Sequence, residues 1–266
     1  MALKIVKAAN SLLNFIVLLA LCIAGLYAGY ALWDNNQVYA AAQNVQADMI
    51  KLKPILTEEN GEEGASFEEL LAINQDVRAW LTIDNTNIDF PILQGENNLT
   101  YINKDVYGNF ALAGSIYLDS RNDSEFHDIV SLLYGHHMDG GDMFGDLDKF
   151  KEEKFFDENR TGLLILPDRS YDLEIFACLL TDASEDAVFE PQEYEADIES
   201  LLKFTEQNAM YCDVDTLTEL RRNNGQDQIL ILSTCSTEFT DARTILLTVM
   251  KPHVSEKQGG RSDEED

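Results

Sequence analysis

The sequence predicts a mainly β domain, a barrel or a sandwich, that follows one membrane-spanning helix. Short apolar segments recur at short intervals and are separated by turn-type residues, which is typical of such β domains. Residues 8–33 contain no charged side chain, and a helix of that length exceeds the roughly 30 Å of a bilayer core. An acidic segment, residues 181–224, has helical apolar spacing and predicts one helix of about four turns between two strands.

The charges that flank the apolar stretch indicate its orientation. Lys4 and Lys7 precede it, whereas the first charge after it is Asp34. The positive-inside rule therefore predicts that residues 1–7 are cytoplasmic and that everything after the span lies outside the cell. A cleaved signal peptide is the alternative, but its apolar core is usually about 7 to 15 residues and no clear cleavage site is present here.

Between the span and the β domain the sequence predicts a stalk or linker, residues 34–65. It has helical composition at first and ends in a polar break that contains glycine. Ser66 fits a helix N-cap, with Glu69 at the capping-box position, so a short helix over Phe67–Ile73 should open the domain. The predicted domain is residues 66–252, and residues 253–266 form a charged tail that we expect to be disordered.

Eight strands are predicted within the domain. Pro91 removes a backbone donor and so favours an edge position for the second of them. Residues 167–170 are a turn sequence that should join two strands in a hairpin. Residues 94–109 are polar and are predicted to form an excursion of the chain at the surface. The predicted strands are residues 77–83, 88–93, 114–119, 130–134, 163–166, 171–180, 228–235 and 245–250.

The charge balance excludes one class of function. There are 48 acidic and 19 basic residues, for a formal net charge of −29. A surface this acidic repels phosphate backbones, so the chain is not expected to bind nucleic acid. The excess of negative charge predicts solubility, with a cationic partner as the alternative.

Four cysteines narrow the search for a reactive thiol. Cys22 lies in the predicted span, which leaves Cys178, Cys212 and Cys235 outside the membrane. Three thiols cannot all pair, so at least one is free. A bridge between Cys178 and Cys212 stays open, although the apolar surroundings of Cys178 favour a buried small hydrophobe.

Of four histidines, two are candidates for a site. His127 and His253 lie in polar segments and are predicted to be at the surface. His136 and His137 follow the strand 130–134, and because neighbours in an extended segment point to opposite faces, only one of them should enter a given site.

No metal, cofactor or phosphate-binding loop is predicted from the segment around these histidines. Adjacent histidines cannot easily share one ion, and the spacing fits no common zinc pattern. Gly140-Gly141 is followed by an Asp and lacks the Lys of a phosphate-binding loop. The metal alternative rests on a cluster that comprises His136, His137, Asp139, Asp142 and Asp146.

Nucleophilic thiol chemistry needs a Cys, an imidazole to carry the proton and a donor for the oxyanion. Cys235 ends an apolar strand, His136 follows another, and Arg243 opens a third. Arginine stays protonated at any working pH, so it can act as a donor and not as a base.

These residues carry a resemblance to a known family. Leu232-Ser233-Thr234-Cys235 with Arg243 resembles the active-site signature of the sortases, membrane-anchored cysteine transpeptidases of Gram-positive bacteria. Three further stretches are similar to class B sortases. The acidic segment, residues 181–224, is also similar to the long helix that class B members insert between barrel strands 6 and 7. The stretches are Tyr134-Gly135-His136 with residues 143–147, Gln94-Gly95, and residues 113–119 with Arg121-Asn122.

The resemblance, which spans residues 67–250, implies a closed barrel of about eight strands with peripheral helices. It implies that Cys235 forms a thioacyl intermediate, that His136 transfers the proton, and that Arg243 holds the substrate carbonyl. Tyr134, Ser233 and Thr234 fall at positions that would line the peptide groove. The role of His137 is left open.

The resemblance further implies an extracellular catalytic domain on a single-pass membrane protein. Its partners would be surface proteins with a C-terminal sorting signal of the Asn-Pro-x-Thr type and a peptidoglycan amine as acceptor. A pilus-assembling sortase would use a pilin lysine instead. Two further alternatives are a cysteine protease that uses water and a sortase-like binding module without catalysis.

Overall fold

The computed structural model describes residues 2–55, 67–191, 198–223, 226–235 and 241–253. The chain divides into two units, residues 1–41 and residues 42–266. The first unit belongs to helix α1 (Ala2–Ile50), and among the described helices only this one is long and apolar enough to cross a membrane. It contains the predicted span and the first part of the predicted stalk. Ser66, the predicted N-cap, and residues 254–266 of the predicted tail lie outside the described residues.

The second unit contains a closed barrel of eight strands with a ninth strand at its side. The barrel order is β5-β1-β2-β3-β4-β8-β9-β6, and a β5–β6 pairing closes it, while β7 pairs with β6. The closed barrel of about eight strands that the family resemblance implies is confirmed. The strands are β1 (Val77–Ile83), β2 (Asp89–Leu93), β3 (Ile116–Leu118), β4 (Val130–Tyr134), β5 (Thr161–Ile165), β6 (Ser170–Asp182), β7 (Ala209–Cys212), β8 (Gln228–Cys235) and β9 (Ala242–Pro252).

In the described part of the second unit there are five α-helices in addition to the end of α1. The helix α2 has the bounds that the sequence predicts, and two 3₁₀ segments, Asp139–Gly141 and Gly145–Lys151, follow β4. The helices are α2 (Phe67–Ile73), α3 (Glu153–Glu158), α4 (Asp186–Phe189), α5 (Glu199–Asn208) and α6 (Val214–Asn223).

Both faces of the central strands are buried, which explains their continuous apolar runs. Residues 229–232 of β8 are all 0% exposed. Ile229 and Ile231 belong to one apolar cluster with Leu202 of α5 and Leu217 of α6, so the helices cover one face of the strand. A strand buried on both faces reads as unbroken apolar sequence and does not alternate.

The segment between β6 and β8 differs from the single four-turn helix that the sequence predicts. Two ten-residue helices, α5 and α6, are separated by β7, whose Cys212 lies opposite Ala177 of β6. The end of the apolar run therefore joins the sheet as a strand. Short apolar runs satisfy helix and strand alike, and pairing with β6 decides between them here.

The expectation that β2 is an edge strand is also wrong. β2 lies between β1 and β3 in the barrel. Pro91 is nevertheless accommodated, because it lies opposite Trp80 of β1, whereas the pairing with β3 involves only Ile92 and Leu93. The missing N–H of Pro91 therefore falls outside the β2–β3 ladder.

Candidate active site

Two strand pairings bring the predicted catalytic positions to one edge of the barrel. β4 runs parallel to β8 with Tyr134 opposite Ser233, and the N–H of Gly135 donates to the carbonyl of Ser233 at 3.2 Å. β8 runs antiparallel to β9 with Cys235 opposite Arg243. The backbones at the ends of three adjacent strands therefore carry His136, Cys235 and Arg243.

The ring of His136 is held by a backbone carbonyl. Its Nε2 lies 2.7 Å from the carbonyl oxygen of Ile102, in the excursion that precedes β3. A carbonyl only accepts hydrogen bonds, so Nε2 carries the hydrogen and, in the neutral ring, Nδ1 has the lone pair. His136 is half-buried and can exchange a proton through Nδ1.

The loop after His136 is fixed by glycine geometry and close packing. The carbonyl of His136 accepts from the N–H of Phe144 at 3.0 Å, and His137 forms a bridge with Met143. Gly140 and Gly141 have φ of 80° and 86°, values that side-chain-bearing residues rarely adopt. The resulting tight turn returns the chain beside the histidines.

Arg243 presents a cation with few protein partners. It is half-buried, and its Nη1 donates to the carbonyl of Ala242 at 2.9 Å. Among the described residues no carboxylate lies within ion-pair distance of its guanidinium. Hydrogen bonds from Ser184, aided by the charge of Arg243, lower the pKa of Asp182. The remaining N–H groups of Arg243 can therefore bind an oxygen of a ligand.

Tyr134 is bound to a buried charge network next to the site. Its hydroxyl donates to Oδ2 of Asp119 at 3.0 Å, and Asp119 also accepts from Asn98 and Arg121. Burial, together with the negative charge of Asp119, raises the pKa of Tyr134. Tyr134 is therefore a neutral hydroxyl that is fixed in place.

Ser233 and Thr234 are each only 2% exposed. Their hydroxyls have no hydrogen-bond partner within the described part of the chain. Strand alternation puts them on opposite faces of β8, and Thr234 lies opposite Thr244 of β9. Their role in lining a peptide groove stays a prediction.

The carboxylate of Asp148, which the sequence does not single out, contacts His137. His137 Nε2 is 3.0 Å from Oδ2 of Asp148, and Thr244 Oγ1 donates to Oδ1 of the same carboxylate at 3.0 Å. Lys151 Nζ is 2.8 Å from Oδ1. With 48 acidic residues in the chain, nothing local distinguishes Asp148 from the others.

Cys178, Cys212, His127 and His253 are the other cysteines and histidines of the second unit. Cys178 and Cys212 are free thiols, and burial raises the pKa of Cys178 to about 12. Cys178 is the buried small hydrophobe that the sequence favours. His127 and His253 are at the surface, as predicted, where each contacts an aspartate.

Two of the three acidic residues of the alternative metal cluster have protein partners. Asp142 accepts from Gln43 at 2.9 Å, and Asp146 accepts from Lys149 and from the N–H of Asn87. Within the described ranges no group of three or more His, Cys, Asp or Glu is arranged to hold a metal ion.

Comparison with known proteins places this architecture in one family. A family model described as Sortase domain matches residues 81–251. Sortase B of Listeria monocytogenes is 32% identical over 228 residues, which are 85% of this chain and 89% of the relative. Sortase B of Staphylococcus aureus is 26% identical over 186 residues, 70% of this chain and 73% of the relative.

Solved structures agree. A Streptococcus pyogenes class B sortase involved in pilus biogenesis has a TM-score of 0.63 and 38% identity, covering 71% of this chain and all of that one. A Bacillus anthracis protein similar to sortase B has a TM-score of 0.62 and 30% identity, covering 84% of this chain and 98% of that one. The chain therefore belongs to the sortase family of cysteine transpeptidases. Its relatives are sortases of class B, the class that the sequence motifs predict.

Proposed function

We propose that the protein is a membrane-anchored class B sortase that joins surface proteins to an amine of the cell wall. The observation that carries this proposal is the pairing of β4, β8 and β9. Tyr134 lies opposite Ser233 in parallel strands, so continuing that register by two residues brings His136 level with Cys235. Arg243 lies opposite Cys235 from the other side.

In the proposed reaction Nδ1 of His136 takes the proton of the Cys235 thiol, and the thiolate attacks the carbonyl carbon of the threonine in an Asn-Pro-x-Thr sorting signal. Arg243 donates hydrogen bonds to the carbonyl oxygen, which becomes negatively charged in the tetrahedral intermediate. The carbon–nitrogen bond then breaks, His136 gives a proton from Nδ1 to the leaving amine, and a thioester on Cys235 remains.

A second amine completes the cycle. It attacks the thioester carbonyl, loses a proton to His136, and displaces the Cys235 thiolate. The product is a new amide bond, and the enzyme returns to its starting state. The hydrogen bond from His136 Nε2 to the carbonyl of Ile102, at 2.7 Å, keeps the ring oriented through both proton transfers.

Membrane attachment belongs to the same proposal. The apolar part of α1 would anchor the chain, with Lys4 and Lys7 on the cytoplasmic side and the barrel outside. Protease added to intact cells is expected to digest the barrel and to leave an N-terminal fragment with the span. A barrel that becomes accessible only after lysis would contradict this orientation.

The test of the chemistry uses the full chain in detergent with a library of sorting-motif peptides. Mass spectrometry of the intact protein should show a thioacyl adduct that Cys235→Ala lacks. Cys212→Ala is the matched control, since it removes a half-buried thiol from β7 and should leave the adduct intact. Arg243→Ala is expected to slow adduct formation by about 10²–10³-fold, the usual effect of removing an oxyanion donor.

A pilin lysine is the second candidate acceptor. It is favoured by the pilus-associated Streptococcus pyogenes relative, which is 38% identical to this chain. Supplying the thioacyl enzyme with a peptidoglycan-type amine and a lysine peptide in competition identifies the preferred acceptor. Release by water alone would instead indicate a protease, and a wild-type chain that forms no adduct with any peptide would indicate a binding module.

A further inference from the structure

One carboxylate connects the two segments that carry His136 and Arg243. Asp148 contacts His137 through Oδ2 and Thr244 through Oδ1, each at 3.0 Å. His137 directly follows His136, and Thr244 directly follows Arg243. The 3₁₀ segment Gly145–Lys151 thereby joins the end of β4 to the start of β9 by side-chain contacts.

The two residues that Asp148 contacts, His137 and Thr244, are the sequence neighbours of His136 and Arg243. In extended backbone this spacing decides which face each side chain occupies. Neighbouring side chains in a strand project to opposite faces. His137 is bridged to Met143 in β geometry, and Thr244 is a fully buried residue of β9. Asp148 therefore holds the side chains of His137 and Thr244 on one face. This fixes the position of the backbone, and His136 and Arg243 project from that backbone to the opposite face.

The charges around Asp148 keep this connection in place at working pH. Burial opposes its ionisation, but hydrogen bonds from His137 and Lys151 outweigh burial and lower its pKa to about 2. The hydrogen bond to Asp148, with a further contribution from Asp139, raises the pKa of His137. Lys151 is the positive group that faces the pair. Asp148 is therefore an anion throughout the neutral range.

We infer that Asp148 is a positioning residue of the sortase reaction, which sets the distance between His136 and Arg243 by binding His137 and Thr244 together. This inference rests on the proposed function. Asp148 makes no contact with the reacting atoms in this role and acts through the two neighbours. Because a misplacement of about 1 Å can cost roughly 10²-fold in rate, loss of these contacts should reduce turnover more than substrate binding.

The first test is Asp148→Asn in the full chain, assayed with a sorting-motif peptide and an amine. Asparagine keeps the size of the side chain, but it loses the negative charge and one of the two oxygens that contact His137 and Thr244 separately. We expect kcat per titrated active thiol to fall by about 10-fold or more, with KM within about 2-fold. The matched control is Asp172→Asn, which makes the same neutralising change at a surface carboxylate 2.8 Å from His253 and should leave kcat unchanged.

The second test does not depend on the folding of the first variant. Thr244→Val removes the hydroxyl with little change in volume, whereas Thr244→Ser keeps it. We expect Val to lower kcat and Ser to retain it within about 3-fold, and the Asp148→Asn, Thr244→Val double variant to lose less than the product of the single losses. Circular dichroism and thiol titration report the folded fraction.

Two results would overturn the inference while leaving the proposed function intact. One is a wild-type thioacyl adduct together with unchanged kcat in Asp148→Asn and Thr244→Val. The other is a loss of activity that only matches the loss of folded protein, or that Thr244→Ser does not restore. Absence of any adduct on the wild-type chain would overturn the proposed function and this inference together.

Discussion

Asp119→Ala should destabilise the barrel more than any other single removal of a charge near the site. The Asp119 side chain is 0% exposed, at the end of β3, and accepts five hydrogen bonds. Three come from Arg121, one from Asn98 and one from the hydroxyl of Tyr134. Arg121 also pairs with Glu190 at 2.7 Å, so it is not left without a partner.

The magnitude follows from which groups would lose their acceptor. Removing one member of a buried pair costs about 3–5 kcal/mol, and the lower end applies because Arg121 is 30% exposed and keeps Glu190. With a urea m-value of about 2 kcal/mol per molar, a loss of about 3 kcal/mol lowers the midpoint by about 1.5 M. Tyr134→Phe removes one of these bonds and should cost about 1 kcal/mol.

Urea unfolding of the full chain in detergent, followed by the fluorescence of Trp80, measures this difference. Trp80, in β1, is fully buried, whereas the other tryptophan, Trp33, lies in α1. Asp172→Ala is the control, because the exposed contact of Asp172 with His253 should be worth less than about 1 kcal/mol. A midpoint for Asp119→Ala within 0.3 M (about 0.6 kcal/mol) of wild type would refute the reasoning.

The same network predicts a dependence on pH. Burial opposes ionisation of Asp119, but its hydrogen bonds with Arg121 prevail and lower its pKa. A lowered folded-state pKa contributes stability above the unfolded pKa of about 4, and this contribution is lost as the pH falls through the folded pKa. The difference in stability between wild type and Asp119→Asn should therefore be full at pH 7 and shrink at acid pH. A difference that stays constant down to pH 2 would contradict the assignment of charge.

Three further predictions concern the histidine loop, the thiols and the helical cover. Gly135→Ala should lower the free energy of unfolding by about 1–3 kcal/mol and should lower kcat, because the added Cβ would lie 2.7 Å from the ring of Phe144. Unchanged thermal stability and turnover would contradict this prediction. Iodoacetamide at pH 7.5 should modify Cys235 well before Cys178, whose raised pKa and 0% exposure make it inert, and peptide mass spectrometry would show equal rates if this were wrong. Leu202→Ala, in the apolar cluster outside the barrel, should lower the free energy of unfolding by about 2–5 kcal/mol without changing kcat per folded molecule, and a selective loss of kcat would place α5 in the site.

The candidate site could be predicted where its residue types are rare. With four histidines, and three cysteines outside the predicted span, few combinations exist, and strand ends point to His136 and Cys235. Asp119 and Asp148 could not be selected in the same way, because each is one acid among 48. Their partners lie in other elements, 15 residues apart for Asp119 and Tyr134 and 96 residues apart for Asp148 and Thr244.

The fold shows the same division. The bounds of α2, β1 and β4 agree with the apolar pattern of the sequence, because periodicity and capping act over a few residues. The position of β2 inside the barrel and the strand β7 do not follow from that pattern, since a strand's neighbours come from distant parts of the chain.

The sequence by itself thus determined where the eight barrel strands and α2 lie along the chain, and it determined the reactive residue types. Only the tertiary structure decided that β4, β8 and β9 are neighbours in a register that brings Cys235 opposite Arg243, and that Asp148 joins the loop after β4 to the start of β9. The physical reason is that side-chain periodicity is encoded locally, whereas hydrogen bonding between strands and the partners of buried charges depend on which surfaces meet when the barrel closes.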